Sequence, residues 1–154
     1  MQYTVFIHLE QYLAQWLIHQ NGGQQPVKFR KGTVENALLI VLLGKPPKNQ
    51  NWTPQLKAET GQVEIVLPYN DLKNIRYNYY LSRKGEFILH EIIRNRFKVQ
   101  LWKDLHTVGN VIKRNDELIS KWMEEHGIEN CDKNWNTIAK ILQRTKKTYK
   151  KSTT

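Results

Sequence analysis

One cysteine in 154 residues, Cys131, leaves no partner for an intrachain disulfide and no thiolate set for a multi-cysteine metal site. Its surroundings carry no signature of a nucleophile, which predicts a structural or incidental thiol. Histidine is scattered: His8, His19, His90, His106 and His126 fall into no HxxxH or comparable ligand spacing, so no metal centre is expected. Glycine-rich phosphate loops are missing too. Gly22-Gly23 and Gly32 match neither GxxxxGK[ST] nor GxGxxG. The longest uninterrupted apolar run, Ala37 to Leu43, falls far short of the roughly 18–20 residues that cross a bilayer, so no membrane partner is expected. Glu10 interrupts the first apolar stretch, and neither a basic leader nor a small-residue cleavage site surrounds it; the expectation is a cytoplasmic protein without a signal peptide.

Catalytic pairs are equally thin. Glu91 with Asp104, or Glu124 with Glu125, would suit a nuclease by residue type, yet Glu91 sits beside Arg94 and Glu125 lies four residues from Lys121, the spacings of ordinary helical ion pairs. No enzyme activity, catalytic residue or cofactor is expected.

Acidic residues are absent where the chain is most basic. The formal net charge is +10. Residues 1–80 hold 8 Lys+Arg against 5 Asp+Glu, a net of +3, whereas residues 81–154 hold 16 against 9, a net of +7. From Lys140 to Lys151 the cations Lys140, Arg144, Lys146, Lys147, Lys150 and Lys151 occur without a single carboxylate. Clustered cations recruit polyanions by counterion release, so nucleic acid, double-stranded DNA first, is the expected partner. A basic tail serving only solubility is the competing explanation.

Hydropathy patterning predicts an α+β chain: a small two-stranded N-terminal β element covered by helices, then a C-terminal three-helix, helix-turn-helix-like bundle. Tyr3 to Leu9 is β-branched and aromatic and reads as a strand. Tyr12, Leu13, Trp16 and Leu17 recur at helical spacing within Glu10 to Gln20, and Asn21-Gly22-Gly23 supplies the stop. Pro26 to Arg30 reads as a short extended piece. Thr33 suits an N-cap before Val34 to Leu43, a run that also fits a buried strand; the cap and the stop at Gly44 to Pro47 favour a helix. Gly44 to Gly61 reads as a long loop, and Gln62 to Leu67 alternates as a second strand closed by Pro68. From Lys84 to His106, Phe87, Ile88, Ile92, Phe97, Leu101, Trp102 and Leu105, broadened by Leu89, Ile93 and Val99, predict a central helix packed on two sides and ended at Gly109-Asn110. Asn115 or Asp116 caps a helix from Glu117 to His126, Gly127 stops it, and Asp132 opens the last helix. The natural division is 1–80 and 81–154, or one continuous domain.

The last helix carries the functional signal. At about 100° per residue, Lys133, Arg144, Lys147 and Lys151 fall within roughly 40° of Lys140, opposite Trp135, Ile138, Leu142 and Tyr149. One face seals a core while the other presents cations along a phosphate backbone, with Asn134, Asn136 and Thr137 placed to reach base edges. The pair of helices around Gly127 to Cys131 resembles a helix-turn-helix, although its connection exceeds the usual three or four residues. The same pattern fits a plain helix pair with a solvated basic face. Arg76, Arg83 and Lys84 interleave with Tyr77, Tyr79 and Tyr80, a mixture suited to bases and phosphates, or simply to packing. Trp52, alone in the polar loop, is the candidate anchor for a second function: an adaptor that docks a protein partner or forms a homo-oligomer, with the tail only for solubility.

The segments Val99 to His106, Ile119 to Ile128 and Lys133 to Lys140, with the Ile7-His8-Leu9 start, resemble small uncharacterised proteins carried by bacterial phages and mobile elements. That resemblance supplies no residue roles. It implies a setting in which basic, DNA-handling regulatory or accessory factors are frequent.

Overall fold

Seven elements follow in the order β1 (Thr4–His8), α1 (Gln11–Gln20), α2 (Val34–Leu42), β2 (Gln62–Val66), α3 (Arg83–Leu105), α4 (Asn115–Glu125) and α5 (Asp132–Thr153). The computed structural model describes residues 3–48, 52–71, 73–106 and 115–153, with the side chains of 115–116 and 150–153 excepted. The expected stop at Gly109-Asn110 lies outside the described residues, and α4 begins earlier than expected, so Asn115 and Asp116 are its first residues and not caps before Glu117.

The α+β architecture is the one the patterning predicts. β1 and β2 pair antiparallel with Val5 opposite Ile65 and Ile7 opposite Val63, and these four side chains form the buried face of the ribbon. Two strands alone are marginal, and helices complete the core. The short extended piece also materialises: Val27 bridges Ile65 in parallel and is itself fully buried. Residues 34–42 are helical, as the Thr33 cap predicts; the Thr33 hydroxyl accepts the Asn36 N–H at 3.3 Å. The far end of α2 has no basic residue of its own. Lys73 supplies one from 30 residues downstream, its Nζ donating to the carbonyls of Ile40, Val41 and Leu43 at 3.1, 3.0 and 2.8 Å. A cation there satisfies carbonyls left over at a helix C-terminus and opposes the helix dipole.

α3 is the spine, and its buried residues correct the broad stripe expected from the sequence. Gly85, Leu89, Ile93, Phe97, Leu101 and Leu105 are buried at strict four-residue spacing, whereas Phe87 and Val99 are about two-thirds exposed at 64% and 67%. Each four-residue step turns about 40° further round the axis, so the row winds roughly 200° from end to end. The N-terminal part therefore faces α2, where a Cβ on Gly85 would lie 3.7 Å from Leu42, and the later part faces α5, with Trp122 of α4 against Phe97. Packing on two sides comes from this winding, not from a wide apolar face. One continuous core results, running from Val5 to Ile141.

Phe97 sits at its centre, fully buried, with its ring edge-on to Tyr12, Trp16 and Trp122 at 5.0, 5.5 and 5.5 Å. Beside it, burial and then the Glu10 charge raise the Tyr12 phenol above its ordinary value of 10.0. Partial burial pushes the Glu10 carboxyl up, but the His90 Nε2 hydrogen bond at 2.9 Å, its own backbone and the charges of His90 and Arg94 outweigh it, leaving the pKa below 4.5. A folded value below the unfolded one stabilises the protein fully above that range and less as pH falls through the folded value. Glu10→Gln should therefore flatten the dependence of Tm on pH below 4.5. The effect is small, because the carboxylate is half exposed, and thermal melts across an acid series measure it.

Candidate nucleic-acid interface

α5 is anchored by its apolar side. Ile138 and Ile141 are buried, and Trp135, Ala139 and Leu142 pack partly buried against the core. Further along, the Tyr149 ring lies 4.8 Å from Trp102, which also stacks on His106, although Tyr149 stays 53% exposed. Trp16 and Trp122 are buried in the core, while Trp102 and Trp135 reach only intermediate burial.

On the other side, Lys133, Lys140, Arg144 and Lys147 are all exposed. Among the described residues none of them forms an ion pair. From Lys133 to Lys147 the cations extend about 21 Å along the axis at 1.5 Å per residue. Lys151 belongs to the same series by spacing, but its side chain lies outside the described residues. Lys146, exposed as well, stands off the stripe.

The polar flank differs from expectation. Asn134 is 1% exposed and faces inward, its amide donating to Glu129 O at 3.0 Å and reaching Gln15 Oε1 at 3.4 Å. It cannot meet a base. Thr137 is half-buried and its hydroxyl donates to Lys133 O at 2.8 Å. Asn136 remains exposed beside the cations.

Asn134 faces inward because α1 covers the connection between α4 and α5. Ile128 is buried, Gln15 Oε1 accepts the Glu129 N–H at 2.9 Å, and Gln11 Nε2 donates to Glu129 Oε2 at 3.0 Å. Gly127, at φ +74°, lets the chain pass so close that a Cβ there would lie 2.7 Å from His19 Cβ. In a helix-turn-helix the start of the second helix meets base edges. Here that start is turned against α1, so the open surface is the length of the helix, not its tip. Gly127→Ala should lower stability by about 1–2 kcal/mol from the left-handed backbone alone, with His19 displaced in addition. Gly22, at φ +100° with nothing near its Cβ position, serves as the reference. Urea midpoints for the two alanine variants should differ, Gly127 being the costlier.

Arg76, Arg83 and Lys84 are exposed but stand apart. Arg83 opens α3, about 28 Å along its axis from Trp102, where the far end of α5 rests. Of the interleaved tyrosines, Tyr77 is exposed, while Tyr79 and Tyr80 pack against Trp52 at 5.9 and 5.3 Å. Trp52 is accordingly not isolated in its loop. Sequence reasoning overlooked a further group of cations, Arg30, Arg96 and Lys103, along a cleft of about 720 Å³ between α1, the start of α2 and α3. The seven-residue spacing of Arg96 and Lys103 was its available signal. Arg96 is paired with the buried Glu35, which leaves this cleft of mixed charge.

Among the described residues no group of three or more His, Cys, Asp and Glu side chains is placed to hold a metal ion, and no helix is long and apolar enough to cross a membrane. No family model, no curated protein and no solved structure matches this chain.

Proposed function

We propose that the protein is a non-enzymatic, cytoplasmic DNA-binding factor that lays the exposed face of α5 along the phosphates of duplex DNA. One observation carries the reading: four exposed cations without carboxylate partners among the described residues share one face of a helix whose opposite face is fixed in the core. Phosphate contact supplies affinity without sequence information, and Asn136 is the remaining candidate for a base. Arg76, Arg83 and Lys84, exposed but apart from α5, lie outside this contact. A regulatory or accessory role in a phage or mobile element suits a binder of this kind.

Four phosphate contacts predict that log K falls against log salt with a slope of about −3.6. Fluorescence anisotropy with a labelled duplex over a salt series measures it. No binding at low salt, or binding indifferent to salt, overturns the proposal.

A further inference from the structure

Among the described residues β1 pairs with another strand along one side only. The Leu67 N–H donates to Tyr3 O at 2.8 Å and the Leu9 N–H to Gly61 O at 3.1 Å, so the odd-numbered residues of this strand face β2. In an antiparallel ladder the alternate residues, Thr4, Phe6 and His8, then turn their N–H and C=O groups the other way. Glu86 Oε1 accepts the His8 N–H at 2.8 Å. Thr4 and Phe6 have no such partner among the described residues. The outer edge of β2 is occupied instead: the Val27 N–H donates to Glu64 O and the Val66 N–H to Val27 O, both at 2.8 Å, while Gln25 Oε1 accepts the Glu64 N–H at 3.1 Å.

The open edge borders a cleft of about 220 Å³, with Trp52, Gln55, Tyr79 and Tyr80 across from Thr4 and Phe6. Its far wall is held in place: Tyr80 and Gly44 exchange backbone hydrogen bonds at 2.9 and 3.0 Å, and Tyr79 stacks on Tyr3 at 6.3 Å. No charged side chain lines the cleft, in a chain of net charge +10. Phosphate therefore finds no cation there. Alternating backbone donors and acceptors beside an uncharged aromatic wall are matched by another extended backbone.

The geometry points to strand addition at β1: a short, uncharged, extended segment of a partner protein pairs with Thr4 and Phe6 and packs its side chains on Trp52 and Tyr80. Glu86, already engaged with His8, marks where the added strand stops. This site is independent of the α5 face.

The test uses the full chain, labelled with nitrogen-15, and a panel of capped heptapeptides alternating Thr with Val, Ile, Tyr or Phe. Millimolar peptide is expected to shift the Thr4 and Phe6 amide resonances saturably and slow their hydrogen exchange, leaving the exchange of Val5 and Ile7 unchanged. N-methylation of the peptide at the paired positions should weaken binding at least about tenfold. Thr4→Pro, which removes an outward N–H and none that faces β2, should do the same without a large change in Tm. No response at Thr4 and Phe6 to any peptide, or equal binding of the N-methylated peptides, overturns the inference. Shifts of these amides with protein concentration alone, accompanied by a dimer in sedimentation, overturn it in favour of self-pairing.

Discussion

The double substitution Arg144→Glu with Lys147→Glu is expected to weaken duplex binding by about 100-fold near physiological salt. Two lost phosphate contacts remove counterion release worth about 30-fold at ~0.15 M salt, and the new carboxylates add repulsion. The salt slope should fall in magnitude from about 3.6 to about 1.8. Both side chains are exposed and neither forms an ion pair among the described residues, so circular dichroism and Tm should change little. Lys31→Glu with Lys57→Glu makes the same change in net charge at exposed positions away from α5. If anisotropy shows the two double variants equally weakened, net charge and not the helix face governs binding. If affinity survives the α5 reversal, the proposed interface is wrong.

Phe97→Ala is expected to be the most destabilising single change. Removing a fully buried phenylalanine costs about 3–5 kcal/mol, through lost transfer energy and the cavity left behind. The upper part of that range applies, because three edge-on aromatic contacts, each contributing about 0.5–1.5 kcal/mol beyond area burial, disappear together. For a chain of this length, about 4 kcal/mol corresponds to a fall in Tm of roughly 8–16 °C. Phe97→Leu, which refills most of the volume, should lose much less. Calorimetry and urea titration of the two variants give the comparison. Equal losses would show that volume at this position is unimportant and that the ring contacts dominate.

The elements that were legible in the sequence are those whose signal is local. Thr33 announces its helix because a cap bonds three residues away, and Val63 with Ile65 announce a strand because alternation is set by the pleat. What escaped depends on partners distant in the chain. The helix face alone points Asn134 at bases, yet a short polar side chain in a first turn ordinarily folds back on nearby backbone, and α1 closes over it. Spacing alone places Phe87 and Val99 in the stripe, but the neighbours of α3 change sides along its length. Lys73 carries no local hint that it caps α2, and Trp52 none that two tyrosines await it. The cationic face of α5 needed only a helix and its wheel, whereas the open edge of β1 emerged only once the strand register was known.

The lock between α1 and the connection before α5 has a consequence for how the chain is made. Gln15 must wait for Glu129 and Asn134, which follow it by 114 and 119 residues. At about 5–20 residues per second, that interval lasts roughly 6–24 s during synthesis. For those seconds the face of α1 that later meets the Gly127 crossing stands uncovered, although the ribbon and α3 are complete first, α3 ending at Leu105, before the connection is made. Nascent chains should thus remain sensitive to protease until the last helix has left the ribosome, and then become resistant in a single step.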